Sequence, residues 1–158
     1  MRLSPLLAFL ALIPLAACNP ALNTGGPGAS VSSSSKVTTD ARIAFAPLTG
    51  PPQKIADALA VEVARGATSR GIALANFQDA TANYTMKGYL SAVAEDDGTL
   101  VVYVWDVLSP DLKRVHRIAG KIMIERKASD PWSAVDDKTL ALVTQETLDK
   151  LTSWLASG

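Results

Sequence analysis

The chain has 158 residues, 48% of them hydrophobic and 19% charged, and its formal net charge is zero. That length suits one folded domain, and the balanced charge argues against electrostatic capture of nucleic acid. The single cysteine, Cys18, excludes an internal disulfide.

Residues Met1 to Cys18 carry the three parts of an export signal. Arg2 is the positive start, Leu6 to Leu15 is the apolar run with Pro14 near its end, and Leu15-Ala16-Ala17-Cys18 closes it. The apolar run is short for a membrane-spanning helix, which needs roughly 20 residues. The closing residues resemble the lipobox of bacterial lipoproteins. That resemblance implies diacylglycerol on the Cys18 sulfur, cleavage between Ala17 and Cys18, and acylation of the new amino group by a fatty acid such as palmitate. Each buried methylene contributes about 0.8 kcal/mol, and one chain holds only marginally; two or three chains on one residue make release slow. Asn19, not Asp, follows the cysteine, and by resemblance to the enterobacterial sorting pattern this points to the outer membrane. The alternatives are a plain secretory signal with a chance cysteine, or a short anchor helix.

From the lipidated cysteine to residue 39 the composition changes. Asn23-Thr24-Gly25-Gly26-Pro27-Gly28 and Ser32-Ser33-Ser34-Ser35 have little to bury and read as a solvated tether. About 20 such residues have a root-mean-square span of roughly 25 Å. The expected organisation is a lipoprotein signal peptide over 1–17, a lipidated tether over 18–39 and a periplasmic domain over 40–158.

Within that domain, Arg42 to Pro47 is a short apolar run ended by proline and reads as a strand. Thr49-Gly50-Pro51-Pro52 breaks it. Gln53 to Arg70 reads as a helix with Ile55, Leu59 and Val63 as its buried stripe and several alanines that allow close packing. Gly71 terminates it, and Ile72 to Leu74 is a second short strand. Three longer strands follow: Tyr84 to Glu95, Thr99 to Leu108 and Arg114 to Glu125. Asp96-Asp97-Gly98 joins the first two as a tight hairpin whose Asp-Gly pair supplies positive φ angles, and Ser109-Pro110-Asp111 is the next turn. Asp130-Pro131 opens a last helix to about Ala156, with Asp as cap and Pro at the first position. The expected fold is α+β, in the order β-α-β-β-β-α, with one antiparallel sheet and both helices on a single face. The other face is then exposed or covered by a partner.

This order resembles the N-terminal domain of TolB and the related domains of CsgG and LpoB. Arg42-Ile43-Ala44-Phe45-Ala46-Pro47 leading into a helix carries the likeness, with Tyr84-Thr85-Met86-Lys87-Gly88 as the Y-x-x-x-G strand and Val102-Tyr103-Val104-Trp105-Asp106 as the hydrophobic strand ending in aspartate. The turn after Asp106 lacks the family's Thr-Gly, and no propeller or membrane-inserting hairpin is evident. The resemblance implies protein recognition in the envelope rather than chemistry.

Candidate chemistry is sparse. His116 is the only histidine and sits among apolar strand residues, so it reads as a packed strand side chain rather than a base. With no second histidine and no cysteine beyond Cys18, Cys-His nucleophiles and typical zinc sites lack their parts. No phosphate-binding loop, nucleotide fingerprint or hydrolase elbow is present. Asp96 and Asp97 are explained by the hairpin, and Asp136 and Asp137 by the helix dipole. Glu95, Asp106 and Glu125 are candidates for a paired-carboxylate hydrolase, although no spacing selects a pair. No metal or cofactor is expected.

The clearest surface expectation concerns the strand from Thr99 to Leu108, which is apolar on both faces. If its Leu100 side meets the helices, Tyr103 and Trp105 point outward and, with Tyr89 on the preceding strand, form a partner-binding patch; otherwise they are core. The functional expectation is a membrane-anchored, non-enzymatic module that binds an envelope protein or associates with itself. The alternatives are an accessory lipoprotein of a transport or lipid-trafficking system holding an apolar ligand between sheet and helices, and a small cell-wall hydrolase.

Overall fold

The computed structural model describes residues 40–157; the expected signal peptide, Ala17, Cys18 and the tether lie outside them. The described residues form an α+β fold. Its elements are β1 (Arg42–Phe45), α1 (Gln53–Arg70), β2 (Ala73–Ala75), β3 (Tyr84–Glu95), β4 (Gly98–Leu108), β5 (Arg114–Ile124), a 3-10 turn (Pro131–Ala134) and α2 (Asp137–Ser157). Counting the short β2, four strands rather than three follow α1.

The sheet order is β2-β1-β3-β4-β5, and the sheet is mixed, not wholly antiparallel. β3, β4 and β5 make the expected meander, but β1 runs parallel to both β2 and β3. Parallel neighbours need a crossover. The helix α1 supplies one between β1 and β2, and the stretch from Asn76 to Asn83 returns the chain so that β3 enters beside β1. The pairing continues past β1, where Thr49 exchanges backbone hydrogen bonds with Gly88 and Leu90.

Both helices lie on one face of the sheet, and the core is the layer between. From β4 it takes Val101, Tyr103, Trp105 and Val107; from the helices it takes Leu59, Val63, Leu140, Val143, Leu148 and Leu151. The helices meet closely at Gly66, where a side-chain carbon would lie 2.7 Å from Leu148 Cδ1, and Arg70 clamps that contact by donating to Asp149 at 2.7 and 3.1 Å.

Two local expectations change. Asp130 caps only the 3-10 turn, accepting from Trp132 N at 3.1 Å. The chain then straightens at Val135, which is buried, and α2 starts afresh with Asp136 accepting from Thr139 N at 2.9 Å. Burying Val135 in the core is what breaks the expected single helix. At the hairpin, Glu95 pairs with Gly98, so Asp96 and Asp97 form the loop. Neither has a positive φ, and only Gly98 does, at 155°.

Gly120 on β5 lies against the Tyr103 ring. A Cβ there would fall 2.1 Å from Oη and 2.4 Å from Cζ. Replacing a strand glycine by alanine normally gains about 0.5–1 kcal/mol, whereas overpacking a buried ring costs about 1–3 kcal/mol. Because Tyr103 is fully buried, the clash wins. Gly120→Ala is therefore expected to destabilise the protein by about 1–2 kcal/mol, read as a lower urea midpoint with an unchanged slope; a neutral or stabilising result rejects this packing.

Candidate interaction surfaces

The exposed patch expected at Tyr103 and Trp105 is not there. Tyr103 is 0% exposed and Trp105 1% exposed, so both belong to the core. The parity of β4 decides this: its odd-numbered residues face the helices and its even-numbered ones face outward. The Tyr103 hydroxyl donates to Glu146 on α2. Burial, and then the carboxylate, push the phenol well above its usual pKa. Trp105 packs edge-to-face on Phe45 at 5.7 Å between centroids, and its Nε1 is buried with no hydrogen-bond partner among the described residues.

Tyr89 is exposed, as expected, but its neighbours are the even residues of β4. The register sets Tyr89 opposite Val104 and Val93 opposite Leu100, then Val102 opposite Lys121 and Leu100 opposite Met123. Tyr89, Val93 and Met123 are exposed at 39%, 45% and 47%, and Leu100, Val102 and Val104 are half-buried. The result is a continuous apolar strip across three strands on the side away from both helices. At one end of it Asp106 is fixed by Arg117, whose Nε and Nη2 donate at 2.6 and 2.9 Å, with Arg114 at 3.8 Å. The Arg117 hydrogen bonds hold the Asp106 carboxyl below the usual carboxylate range.

A second feature lies on the helix side. A cleft of about 460 Å³ opens between α1 and the carboxyl ends of β1 and β2, lined by Phe45, Leu48, Leu59, Leu74, Phe77 and Trp105 among others. This is where the sheet changes direction, since β1 leads to β2 on one side while β3 lies on the other. Clefts at such points commonly take ligands. Nothing in the sequence pattern announced this cleft, because it depends on the parallel pairing of β1 and β2.

The remaining candidates are dispersed. His116 is half-buried and stacks on Trp154, with ring centroids 5.0 Å apart and planes 1° from parallel. Glu95 and Glu125 flank the start of β4, whereas Asp106 lies near its other end, on the order of 25 Å away at the strand rise. Paired-carboxylate hydrolysis needs roughly 5–10 Å, so Asp106 cannot pair with either. Among the described residues no group of three His, Cys, Asp or Glu side chains could hold a metal ion. No helix among them is long and apolar enough to cross a membrane.

No protein-family model and no curated protein matches the chain. Among solved structures, PelC dodecamers from Paraburkholderia phytofirmans are similar at 13% identity. A point variant gives a TM-score of 0.42, covering 68% of this chain and 85% of that one; a second crystal form gives 0.41, covering 66% and 86%. Likeness at this level leaves the functional argument to the residues of this chain.

The Asp106 bridge has a pH signature. A carboxylate whose folded pKa is depressed contributes stability above its ordinary pKa, and that contribution disappears as the pH falls through the folded value. Arg117 is half exposed, so solvent limits the effect. Asp106→Asn is expected to lose about 0.5–1 kcal/mol near neutral pH, a difference that shrinks as the pH falls below the usual carboxylate range and vanishes once it is below the depressed folded pKa. Urea titrations of both proteins across that window check it; a constant difference at all pH values rejects the bridge.

Proposed function

We propose that the chain is a bacterial lipoprotein held on the outer membrane through lipid on Cys18, and that its folded domain is a non-enzymatic module docking on an envelope protein. The observation that carries the docking is the apolar strip over Tyr89, Val93, Val102, Val104 and Met123, which no element among the described residues covers. The order Leu15-Ala16-Ala17-Cys18 supports the anchor. Lys87, Arg114 and Lys121 stand on the same face. They suit a partner surface with an apolar centre and carboxylates around it.

A lipid anchor followed by a polar stretch rich in glycine and serine fits this role. It confines the domain near the membrane and raises the effective concentration of any partner there. The strip needs no rearrangement to bind, because the strands that carry it are braced from behind by the core.

A second reading is supported by the cleft beside α1. Its aromatic and aliphatic lining suits an apolar small molecule, in keeping with an accessory role in transport or lipid trafficking. Gln53, Asp57 and Asn76 are its polar lining residues and no cation lines it, so a neutral ligand fits better than an anionic one. The neutral fluorophore N-phenyl-1-naphthylamine is expected to bind with micromolar affinity, and Ala60→Glu is expected to weaken that binding about tenfold. Equal binding by the two proteins rejects this second reading.

The docking reading is tested by photo-crosslinking in intact envelopes, with the reactive residue placed at Tyr89, Val102 or Met123 and, as a control, at Val61 on the exposed side of α1. A discrete product is expected from the three strip positions and not from Val61, and Val104→Ser is expected to abolish it while the domain stays folded. Identical products from Val61, or none from the strip, overturn the docking. Intact mass of the mature protein is expected to show acyl chains on an amino-terminal Cys18. An unmodified thiol or an intact leader overturns the anchor, and Cys18→Ser is expected to leave an unprocessed precursor.

A further inference from the structure

The two edges of the sheet differ. At one edge β2 is three residues long, too short to template another strand. At the other, β5 runs for 11 residues from Arg114 to Ile124 with no proline in it.

The register shows which backbone groups of β5 are unused. Gly88 and Leu90 turn their peptide groups toward Thr49, on the β1 side of β3. In an antiparallel ladder the N–H and C=O of one residue point to the same side, and successive residues alternate. Tyr89 therefore bonds toward β4, as does its partner Val104 toward β3. Tyr103 and Trp105 then bond toward β5, where Gly120 and Ile118 are their partners. Arg117, Ala119, Lys121 and Met123 are left with N–H and C=O directed away from the sheet. The position of Lys150 agrees: its Nζ donates to the Ala119 carbonyl at 2.8 Å from α2. No other hydrogen bond to those four residues' outward groups occurs among the described residues.

Beside this edge is an open groove of about 620 Å³ between β5 and α2, lined by His116, Ile118, Lys150, Ser153 and Trp154 among others. A strand laid along β5 would place alternate side chains into it. The charge there is asymmetric. Asp149 is neutralised by Arg70. What remains is Arg114, Arg117, Lys121 and Lys150 against Asp106 and Glu146. Two copies of this edge side by side would double that cation excess, so a second copy of the chain is a poor occupant.

We infer that β5 and the groove between β5 and α2 take up an acidic, extended segment of another protein as an added sixth strand. The site meets the apolar strip at Lys121 and Met123, but strand addition uses the backbone of the sheet edge and does not depend on docking at the strip. The incoming backbone supplies hydrogen bonds to Arg117, Ala119, Lys121 and Met123. Its apolar side chains enter the groove on the helix side, its carboxylates lie on the opposite face beside Lys121 and Arg117, and Lys150 gives up its contact with the Ala119 carbonyl.

The probe is a capped nonapeptide alternating glutamate and valine, added to the full chain in detergent and followed by amide hydrogen exchange. The expected result is alternate protection: exchange slows about tenfold at Arg117, Ala119, Lys121 and Met123, with no change at Tyr89 or Val102. No protection at millimolar peptide, or equal slowing along both parities, overturns the proposal. Concentration-dependent protection of the same amides without peptide also overturns it, since a second copy would then be the occupant. Ala119→Pro removes one outward N–H and leaves the β4 ladder intact, because an edge tolerates proline whose N–H faces solvent; it is expected to abolish protection. Should that variant misfold, Lys121→Glu is expected to weaken peptide binding at least fivefold at low salt, and unchanged binding counts against the proposal.

Discussion

The alternation along β4 is the constraint on which the rest of the structure depends. The strand sits between β3 and β5, and every second residue from Val101 to Val107 is buried under the helices. A shift of one residue would turn Tyr103 and Trp105 out to solvent and bring Val102, Val104 and Asp106 into the core. No lysine or arginine is buried among the described residues to neutralise the Asp106 carboxylate there, whereas outside it meets Arg117. The large aromatics at the core positions each bury about 150–250 Å², so the register is held by size on one face and by charge on the other. The outer strip, the ion pair and the free groups of β5 all follow from that one choice.

Tyr103 also sets how close the layers can come. Its ring covers Gly120 on one side, and its hydroxyl reaches Glu146 on α2, so one side chain ties the central strand, the edge strand and the second helix together. Trp105 does the corresponding work toward β1 through Phe45. Between them these residues connect the antiparallel meander to the parallel pair. The cleft opens beside Trp105, at the boundary between the two kinds of pairing.

Much of this was legible in the residues. Helix α1 coincides with its alanine-rich, four-residue repeat, and the three long strands stand where alternation put them, because both signals reflect local burial. Other features were not legible. The parallel placement of β1 depends on which strand it pairs with, and a four-residue apolar run carries no information about that. The inward face of β4 was ambiguous because both faces are apolar; only the partners' volume decides that Tyr103 and Trp105 go inside. The break before α2 arises because Val135 is needed in the core, a tertiary demand that overrides the capping signal at Asp130. The cleft and the open edge of β5 were invisible for the same reason, since each is made by strands distant in sequence.

The outer face also has an explanation that invokes no partner, and the residues separate the two. The central strand of a meander is shielded by its neighbours, so β-branched residues at Val102 and Val104 fit a solvated sheet through conformational preference alone. That account covers β4, where the outward residues are already half-buried. It does not cover Tyr89 and Val93 on β3 or Met123 on β5, which flank β4 and remain more than a third exposed. Had water been the only neighbour, those flanking positions would have been free to carry charge, as Lys87 and Lys121 do on the same strands. Three exposed apolar side chains around a half-buried centre form a contiguous patch rather than scattered surface residues, and such patches are a mark of interaction sites.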